Sequence, residues 1–78
     1  EAELIEAQVL GTSSLAGKKL RDIDWPEGVL VGAVMKGNEI NIAKSNIILE
    51  EGDIITVFYN SKVVNNVEKM LEVGINFF

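Results

Sequence analysis

The chain has no cysteine, no histidine and a single proline. Without cysteine there is no disulfide. Without either residue there is no Cys/His zinc site and no catalysis through a thiolate or an imidazole. Positive charge is scarce: Lys and Arg number 7 against 12 Asp and Glu, the net charge is −5, and Arg21 is the lone arginine. A nucleic-acid face needs a basic stripe, and scattered lysines do not make one, so no nucleic-acid partner is expected. Apolar runs are short, so no segment can cross a bilayer as a helix and no membrane insertion is expected. A basic n-region followed by an apolar h-region is also missing, so no secretory signal is expected. Absence of cysteine suits a reducing compartment.

What is present is a globular composition: 47% apolar and 24% charged residues over 78 positions. That length allows one small domain, residues 1–78, with one modest core. The first residue is Glu1 rather than Met, so the chain is expected to be a piece of a larger protein or a processed one. A small core without disulfides suggests help from a partner chain.

The stretch Leu4 to Leu10 alternates as a first strand, with Ile5, Ala7 and Val9 on one face. "TSSLAGKKLRDID" follows. Ser13 or Ser14 suits an N-cap, and Ala16, Leu20 and Ile23 recur at helical spacing, so a short helix is expected there, weakened early by Gly17. "WPEG" breaks it. "VLVGAVMK" (Val29 to Lys36) reads as a central strand, apolar on both faces: Val29, Val31, Ala33 and Met35 on one, Leu30 and Val34 on the other. Gly37-Asn38 is a two-residue turn into a half-buried strand with Ile40 and Ile42 inward. Ile47 to Leu49 form a short apolar anchor in the next loop. Asp53 to Asn60 is a strand rich in β-branched and aromatic residues. "SKVVNNVEKMLEVG" reads as a last helix, capped by Asn60 or Ser61, with Val63, Val64, Val67, Met70 and Leu71 as its stripe and Gly74 as its stop. "INFF" is either a tail strand or a contact to another chain. The order strand-helix-strand-strand-strand-helix predicts an α+β fold, with a small mixed or antiparallel sheet and two helices packed on it.

Three stretches, in order, resemble the TrkA-C domain, the C-terminal domain of RCK proteins that regulate potassium channels and Trk/Ktr-type uptake systems. "SLAGKKLRDID" is similar to that family's helix opening at Ser14, Gly17, Lys18 and Leu20. "VLVGAVMKGNEI" resembles its apolar strand, basic residue, Gly turn and return strand. "ILEEGDIITVFYN" resembles its Gly-Asp lead into a strand, at Gly52 and Asp53. The resemblance runs from about Glu6 to about Leu71.

It implies a regulatory domain that pairs as a homodimer, cytoplasmic, held at the inner face of the membrane by a partner or by the rest of the chain. The partner would be a membrane potassium-transport subunit or an attached channel or transporter. The apolar tail Ile75, Phe77 and Phe78 adds to the expectation of dimerisation. The resemblance also implies a small-molecule site where two chains meet. Some family members hold cyclic di-AMP there, with an Arg near the end of the first helix and an Asn at the start of the next strand. Here Trp25 or Asp24 stands at the Arg position and Leu30 at the Asn position, and Asp22, Asp24 and Glu27 nearby oppose an anion. The candidate ligand contacts are Trp25, Gly28, Val29, Leu30 and Val31. Trp25 could stack on a base, although packing over a core edge is the more ordinary role for such a residue.

Other clusters read as structure. Glu50, Glu51 and Asp53 are acidic, but Ca²⁺ wants about six to eight oxygens and the EF-hand spacing is absent, so a turn capped by Asp53 and no metal is expected. Ser13 and Ser14 have no base beside them. Lys18, Lys19 and Arg21 read as a solvated face. Gly-x-Gly-x-x-Gly is missing, and no acid–base constellation is present, so neither a cofactor nor an enzymatic activity is expected. Two alternatives stay open. One is a TrkA-C domain serving a transporter of another ion. The other is an ACT-like small-molecule-binding module, whose order strand-helix-strand-strand-helix-strand would be approached only if "INFF" supplies a last strand.

Overall fold

The computed structural model of the chain describes residues 2–63 and 74–77. Five strands form one sheet: β1 (Ala2–Gln8), β2 (Val29–Lys36), β3 (Glu39–Ile42), β4 (Ile54–Asn60) and β5 (Gly74–Phe77). Their spatial order is β3-β2-β4-β1-β5, and every pairing is antiparallel. The antiparallel form of the expected sheet is therefore the one adopted. Within the "INFF" stretch, Ile75, Asn76 and Phe77 belong to a tail strand, with Ala7 opposite Ile75 and Ile5 opposite Phe77, and Phe78 lies outside the described residues.

The first expected helix does not form. Residues Gly11 to Gly17 are turns, and only a single 3-10 turn follows at Leu20–Asp22. Two causes act together. Gly17 adopts φ +85, outside the right-handed helical region. The backbone after it then pairs with a distant loop instead of with itself: Gly17 N–H donates to Leu49 O at 2.7 Å, Leu49 N–H to Lys18 O at 2.8 Å, and Leu20 N–H to Ile47 O at 2.9 Å. Ser13 caps this irregular turn, accepting from Leu15 N–H at 3.1 Å. The inward set still holds, because Leu20 and Ile23 are buried. Leu15, absent from the helical spacing, is buried more deeply than either. Among the described residues there is no α-helix. The second expected helix begins in a 3-10 turn at Ser61–Val63, where Lys62 N–H donates to Asn60 Oδ1 at 2.9 Å as the cap expectation requires, and the rest of it lies outside the described residues.

One face of the sheet is covered by the loop layer. Ile5, Ala7, Val34, Ile55, Val57 and Tyr59 meet Leu15, Leu20, Ile23 and Leu49 in a single core. Alternation in β1 and β4 gives this face directly. β2 reaches it through a break in phase. Val31 is opposite Val57 but Ala33 is opposite Thr56, so Gly32 is an extra residue, a β-bulge. Before it, Val29 and Val31 face the core side; after it, Val34 does. The expected grouping of Val29 and Val31 with Ala33 and Met35 is thus wrong, because a bulge shifts the period of two by one. β3 inherits the shifted register through the Gly37-Asn38 hairpin, which forms as expected with Gly37 at φ +61 and Lys36 opposite Glu39. Ile40 then sits beside Met35 and Ile42 beside Ala33 on the outer face. Expected inward, they are 68% and 71% exposed.

Candidate functional site

The connection from Ile23 to Val29 folds back on β2. Val29 N–H donates to Pro26 O at 3.2 Å, which seats Trp25 against the edge of the core. On the other side, Arg21 N–H donates to Ser45 O at 3.0 Å, which draws the loop after β3 beside the 3-10 turn. Between these two elements and the start of β2 lies an open cleft of about 250 Å³. Its floor is apolar: Leu20, Val29, Leu30, Val31 and Ala43. Its polar wall is Arg21, Lys44 and Ser45, and Trp25 closes one side.

Four of the five sequence-predicted ligand contacts, Trp25, Val29, Leu30 and Val31, line this cleft together. Gly28 does not; it lines two other hollows with Asn60, of about 260 and 320 Å³. Trp25 also fulfils its ordinary role, packing on the core. Arg21, Lys44 and Ser45 are the residues sequence reasoning missed as a set. Arg21 is 23 residues from Lys44 in the chain, and only the backbone pairing of the two loops joins them. Asp22, Asp24 and Glu27, which argued against an anion, are not in the lining, whereas two cations are. The arrangement can hold a flat or apolar group against Trp25 and the β2 side chains while Arg21 and Lys44 face an anionic group.

The acidic loop is committed elsewhere. Lys36 Nζ donates to Glu50 Oε1 at 3.0 Å and makes a short contact to Asp53 Oδ2. Asp53 is buried and also accepts from Glu50 N–H at 2.9 Å, so it caps its turn as expected, with Gly52 at φ +90. Burial alone would lower the Lys36 pKa, but its bonds to Asp53 and Glu50 and their charges outweigh that and hold it above 10.5. No group of three metal-binding side chains occurs among the described residues. No helix among them is long and apolar enough to cross a membrane.

The TrkA-C domain family matches residues 4–72 of the chain. The chain belongs to the TrkA-C family. This TrkA-C domain is 37% identical over 81 residues to the Trk system potassium uptake protein TrkA of Halomonas elongata, covering 99% of the chain and 18% of that protein. It is 36% identical to the TrkA of Haemophilus influenzae, over 91% of the chain and 16% of that protein. Methanosarcina mazei has a TrkA homolog 35% identical over 92% of the chain. The domain thus spans less than a fifth of the length of these relatives. In fold it is similar to a solved structure described as an RCK domain with cda, with TM-score 0.75 and 20% identity, covering 88% of the chain and 97% of the other. The ACT-like alternative gives way to this family. The tail strand also makes five strands, one more than the ACT-like order has.

Proposed function

We propose that this TrkA-C domain is a cytoplasmic regulatory and dimerisation module of a potassium transport system. It passes a small-ligand or conformational signal to a membrane partner, and has no enzymatic activity of its own. The observation that supports ligand sensing most directly is the cleft, where Trp25 and the β2 floor meet Arg21 and Lys44. That pairing of an aromatic wall with cations suits the nucleotide class, whose bases stack and whose phosphates accept. Its volume of about 250 Å³ is below the usual range for small-molecule sites, roughly 300–1,000 Å³, so one chain supplies part of a site and a second copy closes it. The curated relatives are potassium uptake proteins, which supports potassium over another ion.

Trp25 is the sole tryptophan, so its fluorescence reports on the cleft alone. Nucleotides, cyclic dinucleotides and divalent ions are titrated, with the melting temperature followed in parallel. A nucleotide-class ligand is expected to change Trp25 emission and raise the melting temperature, and Arg21→Ala with Lys44→Ala to weaken its binding by about tenfold or more. Unchanged emission and melting across the whole class at millimolar concentration would remove the ligand reading. Sedimentation as a monomer at high concentration would remove the dimer reading.

A further inference from the structure

We infer that the free edge of β2 at Val29, Leu30 and Val31 is a docking site for an extended acidic peptide segment, which adds to the sheet as a strand inside the cleft. The inference goes beyond the nucleotide reading of that cleft and is tested apart from it.

β3 covers only the second half of β2. Its ladder pairs Ala33 to Lys36 with Ile42 to Glu39, and the last rung is Ala43 N–H donating to Gly32 O at 3.1 Å. The bond from Arg21 N–H to Ser45 O then draws the chain away from β2. Had β3 run on in the same register, Lys44 would stand opposite Val31 and Ser45 opposite Leu30. That place is the cleft instead. The backbone groups that face it follow from the other ladder. Asn60 N–H donates to Gly28 O at 3.1 Å, so these two residues form a hydrogen-bonded pair, and alternation makes Leu30 and Phe58 the next one. Leu30 therefore turns its N–H and C=O toward β4, while Val29 and Val31 turn theirs away from β4, into the cleft. Val29 N–H is taken by Pro26 O. Val29 C=O, Val31 N–H and Val31 C=O have no protein partner among the described residues.

An acceptor, a donor and an acceptor in a row are what an added strand needs, with main-chain bonds for affinity and alternate side chains for selectivity. One residue of an antiparallel segment exchanges both bonds with Val31, and the residue two further on donates to Val29 C=O. Both of those residues point their side chains to the inner face, where Leu20 and Trp25 line the cleft, so apolar side chains suit them. The charged residues of the lining are Arg21 and Lys44, with no carboxylate among them. Acidic side chains flanking the apolar ones meet those cations. Trp25 walls the gap on one side and Lys44 and Ser45 on the other. A lone segment enters between them, where the edge of a second folded sheet would meet both walls.

The probe is the blocked peptide Glu-Val-Glu-Val-Glu, titrated into the chain and followed by amide NMR. The Val31 amide signal is expected to move as its N–H gains an acceptor. A copy of the peptide N-methylated at both valines lacks the donors for Val31 C=O and Val29 C=O, and is expected to bind about tenfold or more weakly, as is Lys-Val-Lys-Val-Lys. On the chain, Val31→Pro removes one N–H of the free edge and none of the ladder to β4, and is expected to weaken the acidic peptide by a similar factor. If circular dichroism shows that this variant does not fold, the N-methylated peptide, which leaves the chain untouched, decides. An N-methylated peptide that binds as well as its parent would reduce the effect to charge attraction and overturn the inference. Nucleotide binding with no response to the acidic peptide at millimolar concentration would overturn it while the ligand reading stands. Peptide binding with no response to any nucleotide would support it and remove the ligand reading. A Val31→Pro chain that turns a wild-type dimer into a monomer, with no peptide bound by either, would assign the gap to a second copy and overturn the inference.

Discussion

The inner face of the sheet buries Ile5, Ala7, Val34, Ile55 and Val57 to 0% exposure, whereas the outer face leaves Leu30, Ile40 and Ile42 at 65%, 68% and 71%. Both faces are made by the same strands and both are apolar. The difference lies in what covers them. The loops from Val9 to Gly28 and from Ala43 to Asp53 fold over the inner face and donate Leu15, Leu20, Ile23 and Leu49 to its core. Apolar content therefore has two meanings in this domain. On the inner face it is the store of folding free energy. On the outer face, toward the β3 edge, it is side chain left in water.

The largest effect that separates the faces comes from truncating one residue on each. Leu49→Ala empties a position at 0% exposure and is expected to cost about 2–5 kcal/mol, because the transfer term and the cavity term add. Ile42→Ala removes a side chain 71% exposed and is expected to stay within about 0.5 kcal/mol in the monomer. Urea unfolding at low protein concentration measures both. Equal costs would erase the distinction.

A smaller effect tests how the chain divides its apolar residues between the faces. The bulge at Gly32 is the switch, since it moves Val34 inward and Ala33 and Met35 outward. A Cβ at Gly32 would stand 2.8 Å from Cε2 of the Phe58 ring, so the ring must move for any larger residue. Gly32→Ala is expected to cost about 1–3 kcal/mol by overpacking. Phe58→Ala, which removes the obstructing ring, is expected to recover most of that cost in a double-mutant cycle. Additive costs would show that Gly32 is required by its backbone and not by Phe58.

Local features of this design are legible in the sequence, and contacts between distant loops are not. The Gly37-Asn38 hairpin, the alternation of β1 and β4, and the Asp53 cap follow from residues adjacent in the chain. The 3.6-residue recurrence of Ala16, Leu20 and Ile23 suggested a helix, yet the same residues reach the core from turns once Gly17 leaves the helical region and residues 17–21 pair with 45–49. Gly32 inside a strand is a known bulge signal. Alternation alone overlooks it, and with it the outward placement of Ile40 and Ile42. Half of the cleft was visible: Trp25, Val29, Leu30 and Val31 are near neighbours in the chain. Arg21 and Lys44 join them only through the Arg21–Ser45 backbone bond, so their cations could not be set against Asp22, Asp24 and Glu27 beforehand.

The smallest effect concerns the polar margin of the inner layer, which has no counterpart among the described residues of the outer face. Lys36, at the end of β2, ties the sheet to Glu50 and Asp53 of the covering loop. Its side chain is 29% exposed, so the bridge is expected to contribute only about 1 kcal/mol. The sign follows from its titration. Despite burial, which opposes the charge, the two carboxylates hold its pKa above 10.5 in the folded state. A base whose folded pKa exceeds its unfolded pKa contributes stability that is complete below the unfolded value. That stability fades as pH rises through the folded one. Wild type is therefore expected to exceed Lys36→Met by a constant margin from about neutral pH to about pH 10, and to lose that margin above it. Thermal melting of both proteins across that range gives the difference directly. Asp53→Asn with Glu50→Gln should flatten the same alkaline limb, because without the carboxylates nothing raises the Lys36 pKa. If the margin instead persisted at high pH, Lys36 would stabilise the loop through its aliphatic stem rather than its charge. The inner layer would then be closed at its margin as in its core, by packing alone.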